Sequence, residues 1–188
     1  MPTQPGLDTY ARNASLASQR KGVISVIWRV RAAAYWSLSL MPRVGQNVHY
    51  LLQRYVTRTL PCPDNAFASR AERAREHISL VSSYLSVPIG SAVFYEFGAG
   101  WDLLGPMVFY GCGVNRQVLV DIRRLVRTEL VRDTVRRLGS LQEKLGLLRI
   151  PPPPRGNLDV YLRESLGIEY LAPRDARQTG LPDSSIDC

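Results

Sequence analysis

Two short apolar runs, each ending at an acidic residue, constrain the fold of this chain more than any other feature. The first run, Val93–Phe97, leads into the glycine turn Gly98–Gly100, and the second run ends at Asp121. The separation between Glu96 and Asp121 matches one strand–helix–strand unit. This arrangement is typical of a nucleoside-binding α/β half-domain, in which the acid after the second strand holds a ribose.

Hydrophobic periodicity supports this interpretation along the rest of the chain. The predicted helices cover residues 23–40, 43–59, 66–85, 103–110, 125–147 and 159–166. The predicted strands cover residues 91–97, 117–121 and 168–172, and residues 183–187 lead towards a fourth. Strands that alternate with helices favour a parallel sheet with right-handed crossovers, so the predicted fold class is α/β. The connection from Asp121 to Ile168 is longer than one helix needs and is predicted to hold an extra element.

The composition is that of a globular chain, with 45% of the 188 residues hydrophobic and 21% charged. The net charge is +8, and most of it is carried by the arginines of residues 1–90. Three scattered cysteines form no disulfide framework, and there is no secretory signal, so we expect a cytoplasmic protein. Residues 23–41 are the most membrane-like stretch. Arg29 and Arg31 interrupt it, and each would cost about 2.5–3.5 kcal/mol at the bilayer centre, which argues against a transmembrane helix.

The glycine turn excludes one common class of ligand. The run from Gly98 to Leu103 lacks the small residue that a dinucleotide fingerprint needs at its sixth position. Asp102 would also place a negative charge at a helix N-terminus, where a pyrophosphate would bind. A ligand with a cationic centre or an amino-acid tail is more compatible with this charge. The alternative is that Gly-Ala-Gly is an ordinary strand–helix turn.

Two acids after later strands extend the pattern. The Asp121 carboxylate could accept hydrogen bonds from two vicinal hydroxyls, or Asp121 could cap a helix that starts at Arg123. Asp175 could accept from the exocyclic amine of an adenine while the next backbone N–H donates to a ring nitrogen. Asp175 could instead be a loop residue that pairs with Arg174 or Arg177.

Taken together, these segments resemble the class I S-adenosylmethionine-dependent methyltransferases, in particular their type 11-like domain. In that family an acid-x-Gly-x-Gly turn ends the first strand and an acid ends the second. An Asp-Ala pair follows the third strand, and a Leu-Pro-Asp-Gly-Ser-hydrophobic-Asp segment leads into the fourth. Glu96–Gly100, Asp121, Asp175–Ala176 and residues 179–187 match these motifs in the family's order, so the resemblance covers residues 91–188.

The resemblance implies S-adenosyl-L-methionine as the cofactor. The implied cofactor-binding residues are Glu96, Phe97, Gly98, Ala99, Gly100, Asp121, Ile122, Asp175 and Ala176. Glu96, Gly98 and Gly100 would border the methionine part of the cofactor. Asp121 would bind the ribose hydroxyls, and the pair Asp175–Ala176 would hold the adenine. No catalytic base is assigned, and no metal site is predicted, because neither histidine lies near a carboxylate or cysteine cluster in sequence.

The sequence patterns and the resemblance together predict a domain layout. We expect a flexible N-terminus over residues 1–20, an N-terminal helical cap over residues 21–90 and a partial Rossmann-like domain over residues 91–188. The family's sheet has seven strands, and this sequence reaches only the start of the fourth, so we expect an incomplete chain. Asp102 replaces a common third glycine, Ser184 replaces the usual glycine before the fourth strand, and Asp187 falls where the family often places a residue near the methyl group and the substrate.

The resulting hypothesis is a methyltransferase that acts on a small-molecule or glycan/lipid-type acceptor. Aromatic residues of the N-terminal helices are candidates for the acceptor site or, alternatively, for the core of a helical layer: Trp28, Tyr35, Trp36, Tyr50 and Tyr55. The arginines of this region, Arg70 among them, could meet an anionic acceptor or a membrane surface, but a solvated face paired with few acids is the favoured interpretation. One alternative function is a non-catalytic, methyltransferase-like interaction domain. Another is a basic protein that binds nucleic acid or a membrane surface, although the absence of a dense basic-aromatic strip argues against nucleic acid.

Overall fold

The structure is a computed structural model that describes residues 45–188. The described residues form two units, residues 45–57 and Arg58–Cys188. In the first unit, helix α1 spans Gly45–Leu51 and continues into a π-helical turn at Leu52–Val56. These elements agree with the helix predicted over residues 43–59. The helix predicted over residues 23–40 and the flexible segment predicted over residues 1–20 lie outside the described residues.

The second unit alternates strands and helices, as predicted. Its elements are α2 (Asp64–Ser82), β1 (Val93–Phe97), α3 (Leu104–Gly111), β2 (Arg116–Val120), α4 (Thr128–Leu145), α5 (Leu158–Leu166) and β3 (Ile168–Leu171). The connection between β2 and β3 contains both α4 and α5, which confirms the extra element predicted there. Within residues 45–188, no helix is long and apolar enough to span a bilayer.

The three strands form a parallel sheet in the order β1-β2-β3, which confirms the predicted α/β class. Val93 is in register with Arg116, and Gln117 is in register with Ile168. The central strand β2 is buried from Gln117 to Val120, as expected for a strand with neighbours on both sides. All three strands therefore end at the same edge of the sheet.

The last two residues of the chain hydrogen bond with the outer edge of β1. The Cys188 N–H donates to the Val93 carbonyl at 3.3 Å, and the Tyr95 N–H donates to the Cys188 carbonyl at 2.7 Å. This alternation is the hydrogen-bond pattern of a parallel pair. It lies on the side of β1 where the family resemblance expects a fourth strand.

Helices α2, α3 and α4 pack into one hydrophobic core with the sheet. The periodic apolar positions of α4 are buried in this core: Leu130, Val131, Val135, Leu138 and Leu145. Helix α2 contributes Phe67 and Ala71 to this core, and the Arg137 guanidinium of α4 lies 3.9 Å from the centroid of the Phe67 ring. Helix α2 is therefore part of the same compact unit as the sheet. The domain boundary expected at residue 90 stays a prediction.

The polyproline segment and α5 complete the connection to β3. The buried Tyr161 hydroxyl of α5 donates to the Pro152 carbonyl at 2.7 Å. The Asn157 side chain caps α5 by accepting from the Asp159 and Val160 N–H groups at 2.9 and 3.2 Å. These contacts fix the approach of the chain to β3, whose carboxyl end lies beside the end of β2.

Candidate functional site

The glycine turn follows β1 at the carboxyl edge of the sheet. Gly98 and Gly100 have φ angles of 76° and 77°, in the left-handed region that favours glycine. A Cβ atom added at either position would meet no atom within 4 Å. The backbone conformation, and not crowding, is therefore the reason for glycine here in the free chain. The Gly98 N–H donates to the Val120 carbonyl at 2.8 Å, which holds the turn against the end of β2.

The Asp121 carboxylate lies against this turn. The side chain is buried, and its Oδ2 accepts a hydrogen bond from the Tyr170 hydroxyl at 3.2 Å. Burial raises the pKa of Asp121, and the Tyr170 hydroxyl and the nearby backbone N–H groups of Gly100 and Ala99 partly oppose that rise. Helix α4 begins at Thr128, so the alternative in which Asp121 caps a helix from Arg123 is wrong. The structure thus brings together the glycine turn and the acid that the sequence analysis paired.

Glu96, the acid in the first strand of the pattern, faces the N-terminal end of α3. A Cβ atom added at Gly105 would lie 3.9 and 4.0 Å from the two Glu96 carboxylate oxygens. Burial raises the pKa of Glu96, and the negative charge of Asp121 raises it further. The two carboxylates are therefore close enough to repel each other. Glu96 also lines a cavity of about 330 Å³ between α2, α3 and β1, together with Arg73 and His77.

The charge of Asp102 is paired within the protein, whereas the sequence analysis expected it to influence the choice of ligand. Its side chain is buried and forms a bidentate ion pair with Arg70, with N–O distances of 2.8 and 3.1 Å. Asp102 Oδ1 also accepts from the Leu104 N–H at 3.3 Å, at the start of α3. The charge of Asp102 is balanced within the protein, so it gives no reason to prefer a cationic ligand. Arg70, whose side chain is 41% exposed, holds α2 to Asp102 beyond the glycine turn.

Exposed apolar side chains flank the Asp121 site. Phe97 ends β1 and Ile122 follows Asp121, and their side chains are 73% and 74% exposed. Trp101 follows the turn, with the Arg127 guanidinium 5.9 Å from its ring centroid. Flat apolar surfaces beside a carboxylate suit a ligand that combines an aromatic base with hydroxyl groups.

The loop after β3 begins beside Asp121 and then turns away to the outer edge of β1. The Arg174 N–H donates to the Asp121 carbonyl at 2.8 Å. The Asp175 carboxylate pairs with Arg177 at 2.7 Å, which lowers the pKa of Asp175 and matches the alternative considered for this residue. The Ala176 carbonyl accepts from the Tyr95 hydroxyl at 3.4 Å. In the free chain the Asp175 oxygens are therefore engaged with a neighbouring side chain.

Asp187 lies at the far end of β1 from the glycine turn. Its Oδ2 accepts from the N–H of Val93, the first residue of the strand, at 2.8 Å. This position separates Asp187 from Asp121 and the turn, whereas the resemblance implied a place near the methyl group and the substrate. The contact supports the parallel rung formed by Cys188 and gives Asp187 a structural role.

Tyr170 is the residue of the site that the sequence analysis did not identify. Its hydroxyl donates to Asp121 and accepts from the Leu125 N–H at 3.2 Å, and its ring centroid lies 5.5 Å from the Arg124 guanidinium. Burial raises the pKa of Tyr170 to about 12, so the hydroxyl remains a proton donor at neutral pH. The available signal was the parallel register, which places Tyr170 opposite Leu119, two residues before Asp121.

Comparisons with protein-family models, with curated proteins and with solved structures give no significant match. The geometry of the site and the order of the sequence motifs are therefore the basis for any functional conclusion.

Proposed function

We propose that this chain binds S-adenosylmethionine at the carboxyl edge of its parallel sheet and acts as a methyltransferase with a Rossmann-like fold. One observation carries the proposal: the Asp121 carboxylate lies against a glycine turn whose left-handed residues leave open space on the ligand side. In parallel α/β sheets, ligands bind at the carboxyl ends of the strands. The order of the sheet and the four ordered sequence motifs add to this support.

Each part of the cofactor would meet a chemically suitable side chain in the proposed site. Asp121 would accept from the ribose, and the exposed side chains of Ile122 and Phe97 would contact the adenine. Glu96 would face the amino-acid end, and its repulsion by Asp121 would fall when a positive charge binds nearby. When bound, S-adenosylmethionine supplies a methyl group on a positively charged sulfur. The chain itself would act mainly by orienting donor and acceptor for an in-line transfer.

The acceptor class follows from the family resemblance. We propose a small-molecule or glycan/lipid-type acceptor. Tyr50 and Tyr55, two of the aromatic candidates for the acceptor site, lie in the first unit with the Arg54 guanidinium 5.8 and 5.9 Å from their ring centroids. The other three candidates lie outside the described residues. Peripheral contact with a membrane surface would be compatible with a lipid-type acceptor.

The proposal is tested by calorimetric titration of S-adenosylmethionine and S-adenosylhomocysteine into the purified chain. We expect saturable binding to the wild type and a loss of about 10- to 100-fold in affinity for Asp121→Asn, since a hydrogen bond to a charged acceptor contributes about 1.5–3 kcal/mol. Asp64→Asn is the matched control, because this carboxylate is fully exposed on α2. A folded wild type that binds neither compound, or equal affinities for wild type and Asp121→Asn, would overturn the proposal.

A further inference from the structure

The cavity between α2, α3 and β1 has a largely apolar wall. The rings of Phe94 and His77 each lie 5.9 Å from the ring of Phe109, measured between centroids, so three rings form a continuous row. Ile78 and Val81 of α2 add aliphatic side chains to the same wall. The volume of about 330 Å³ is at the lower end of the range of about 300–1,000 Å³ for small-molecule sites, which favours a compact ligand.

The carboxylate of Glu96, and not only its aliphatic stem, lies at this cavity. Gly105 also lines the cavity, and a Cβ atom added there would be 3.9 and 4.0 Å from the two Glu96 oxygens. Within residues 45–188, the Glu96 carboxylate has no hydrogen-bond or ion-pair partner. Burial raises the pKa of Glu96, so its negative charge is costly in the free chain. A positively charged group in the cavity would lower that cost.

The chemistry of the cavity fits an amine with an apolar body. The carboxylate can form charge-assisted hydrogen bonds with an ammonium group, and the row of rings offers surface for an aromatic or aliphatic body. Arg73, which also lines the cavity, carries a positive charge, but its side chain is exposed and donates to the Ser69 hydroxyl at 3.1 Å. Solvent therefore screens its repulsion of a cationic ligand.

We propose that this cavity binds the methyl acceptor, and that the acceptor is a small amine with an aromatic or aliphatic body. Its ammonium group would pair with Glu96, and its body would lie against Phe94 and Phe109. The acceptor role rests on the proposed function, whereas the amine site itself does not. The rival occupant of Glu96 is the ammonium group at the amino-acid end of the cofactor.

The first experiment compares three compounds of similar size by calorimetric titration: 2-phenylethylamine, 2-phenylethanol and 3-phenylpropionate. We expect the amine to bind at least about 10-fold more tightly than the alcohol, because only the amine brings a positive charge to the carboxylate. The anionic 3-phenylpropionate should bind most weakly. Methylamine has the charge but no apolar body, and it should bind at least about 10-fold more weakly than 2-phenylethylamine. Equal affinities for the amine and the alcohol would overturn the amine site.

Glu96→Gln tests the carboxylate while keeping the shape of the cavity. Loss of a costly buried charge should not unfold the chain, which circular dichroism checks. The ratio of amine to alcohol affinity should fall towards one. Glu76→Gln is the matched control, because Glu76 is an exposed acid on the same helix as His77 and does not line the cavity. It should keep the wild-type ratio, and an equal fall in both variants would overturn the assignment of Glu96.

S-adenosylhomocysteine separates the acceptor from the rival occupant. When this compound is saturating, 2-phenylethylamine should keep its affinity within about threefold, as expected for an acceptor that binds beside the cofactor. Displacement of the amine by S-adenosylhomocysteine would overturn the acceptor role. Binding of the amine without any binding of S-adenosylhomocysteine would overturn the proposed function and leave the amine site. Binding of S-adenosylhomocysteine without any binding of the amine would overturn the amine site and leave the proposed function.

Discussion

Alanine at Gly167 should destabilise the second unit far more than alanine at Gly146, although both glycines end helices in nearly the same conformation. Gly146 follows α4 with φ 60°, and Gly167 follows α5 with φ 65°. A Cβ atom added at Gly146 would meet nothing within 4 Å. A Cβ atom added at Gly167 would lie 1.8 Å from the backbone oxygen of Asn115.

The size of the difference follows from this geometry. Both variants force alanine into the left-handed region, which costs about 1–2 kcal/mol. At Gly167 the backbone must also move by more than 1 Å, because Cβ contacts under 3.0 Å do not occur. The Gly167 carbonyl accepts from the Gln117 N–H at 2.9 Å at the first rung of the β2–β3 pair, so this movement disturbs the sheet. Overpacking and a weakened hydrogen bond together add about 2–4 kcal/mol.

Thermal and urea unfolding followed by circular dichroism would measure both variants. We expect Gly146→Ala to lower the Tm by a few degrees. Gly167→Ala should lower the Tm by about 10 °C or more, or prevent folding altogether. Because the left-handed cost is common to both, the difference between the variants isolates the close approach to Asn115. Similar Tm values for the two variants would refute the packing at the start of β3.

Two further perturbations test the charged groups around the glycine turn. Glu96→Gln should raise the free energy of unfolding at neutral pH. Because the pKa of Glu96 is raised in the folded state, the wild type loses stability as pH rises above the ordinary value of 4.5, and glutamine has no charge to cause this loss. The gain should vanish by about pH 4 in urea unfolding, and a gain independent of pH would contradict this cause. Arg70→Met should cost about 2–3 kcal/mol, because it leaves the buried Asp102 charge unpaired, with the value reduced by the 41% exposure of the Arg70 side chain. Adding Asp102→Asn should recover part of that loss, and additive losses in the double-mutant cycle would argue against the ion pair.

Helices and strands whose apolar residues recur at a regular spacing could be predicted from the sequence. The long helix predicted over residues 125–147 is α4, because its apolar positions fall on one face at helical spacing. Its ends differ from the prediction by two or three residues for local reasons. Arg127 has extended φ and ψ angles of −121° and 126°, and Gly146 ends the helix in the left-handed region. Apolar periodicity does not contain this information about the backbone.

The site was predictable only where its parts are close in sequence or follow a known order of elements. The glycine turn and Asp121 meet because parallel strands end at one edge, which the alternation of elements already implied. The Arg70–Asp102 ion pair joins residues 32 positions apart, and nothing in either local pattern identifies the partner. The Tyr170 hydroxyl reaches Asp121 only because of the β2–β3 register, which depends on the packing of both helices in between.

The spacing of the strands has a consequence for the order of folding. The β1–β2 pair closes a connection of 18 residues, and the β2–β3 pair closes one of 47. For a flexible chain the longer closure costs about 0.8 kcal/mol more entropy, and α4 and α5 must be placed before it is recovered. We expect β3 to dock after β1 and β2 have paired. Until that step Asp121 lacks the Tyr170 hydrogen bond, so the ligand-binding edge would be among the last parts of the fold to form.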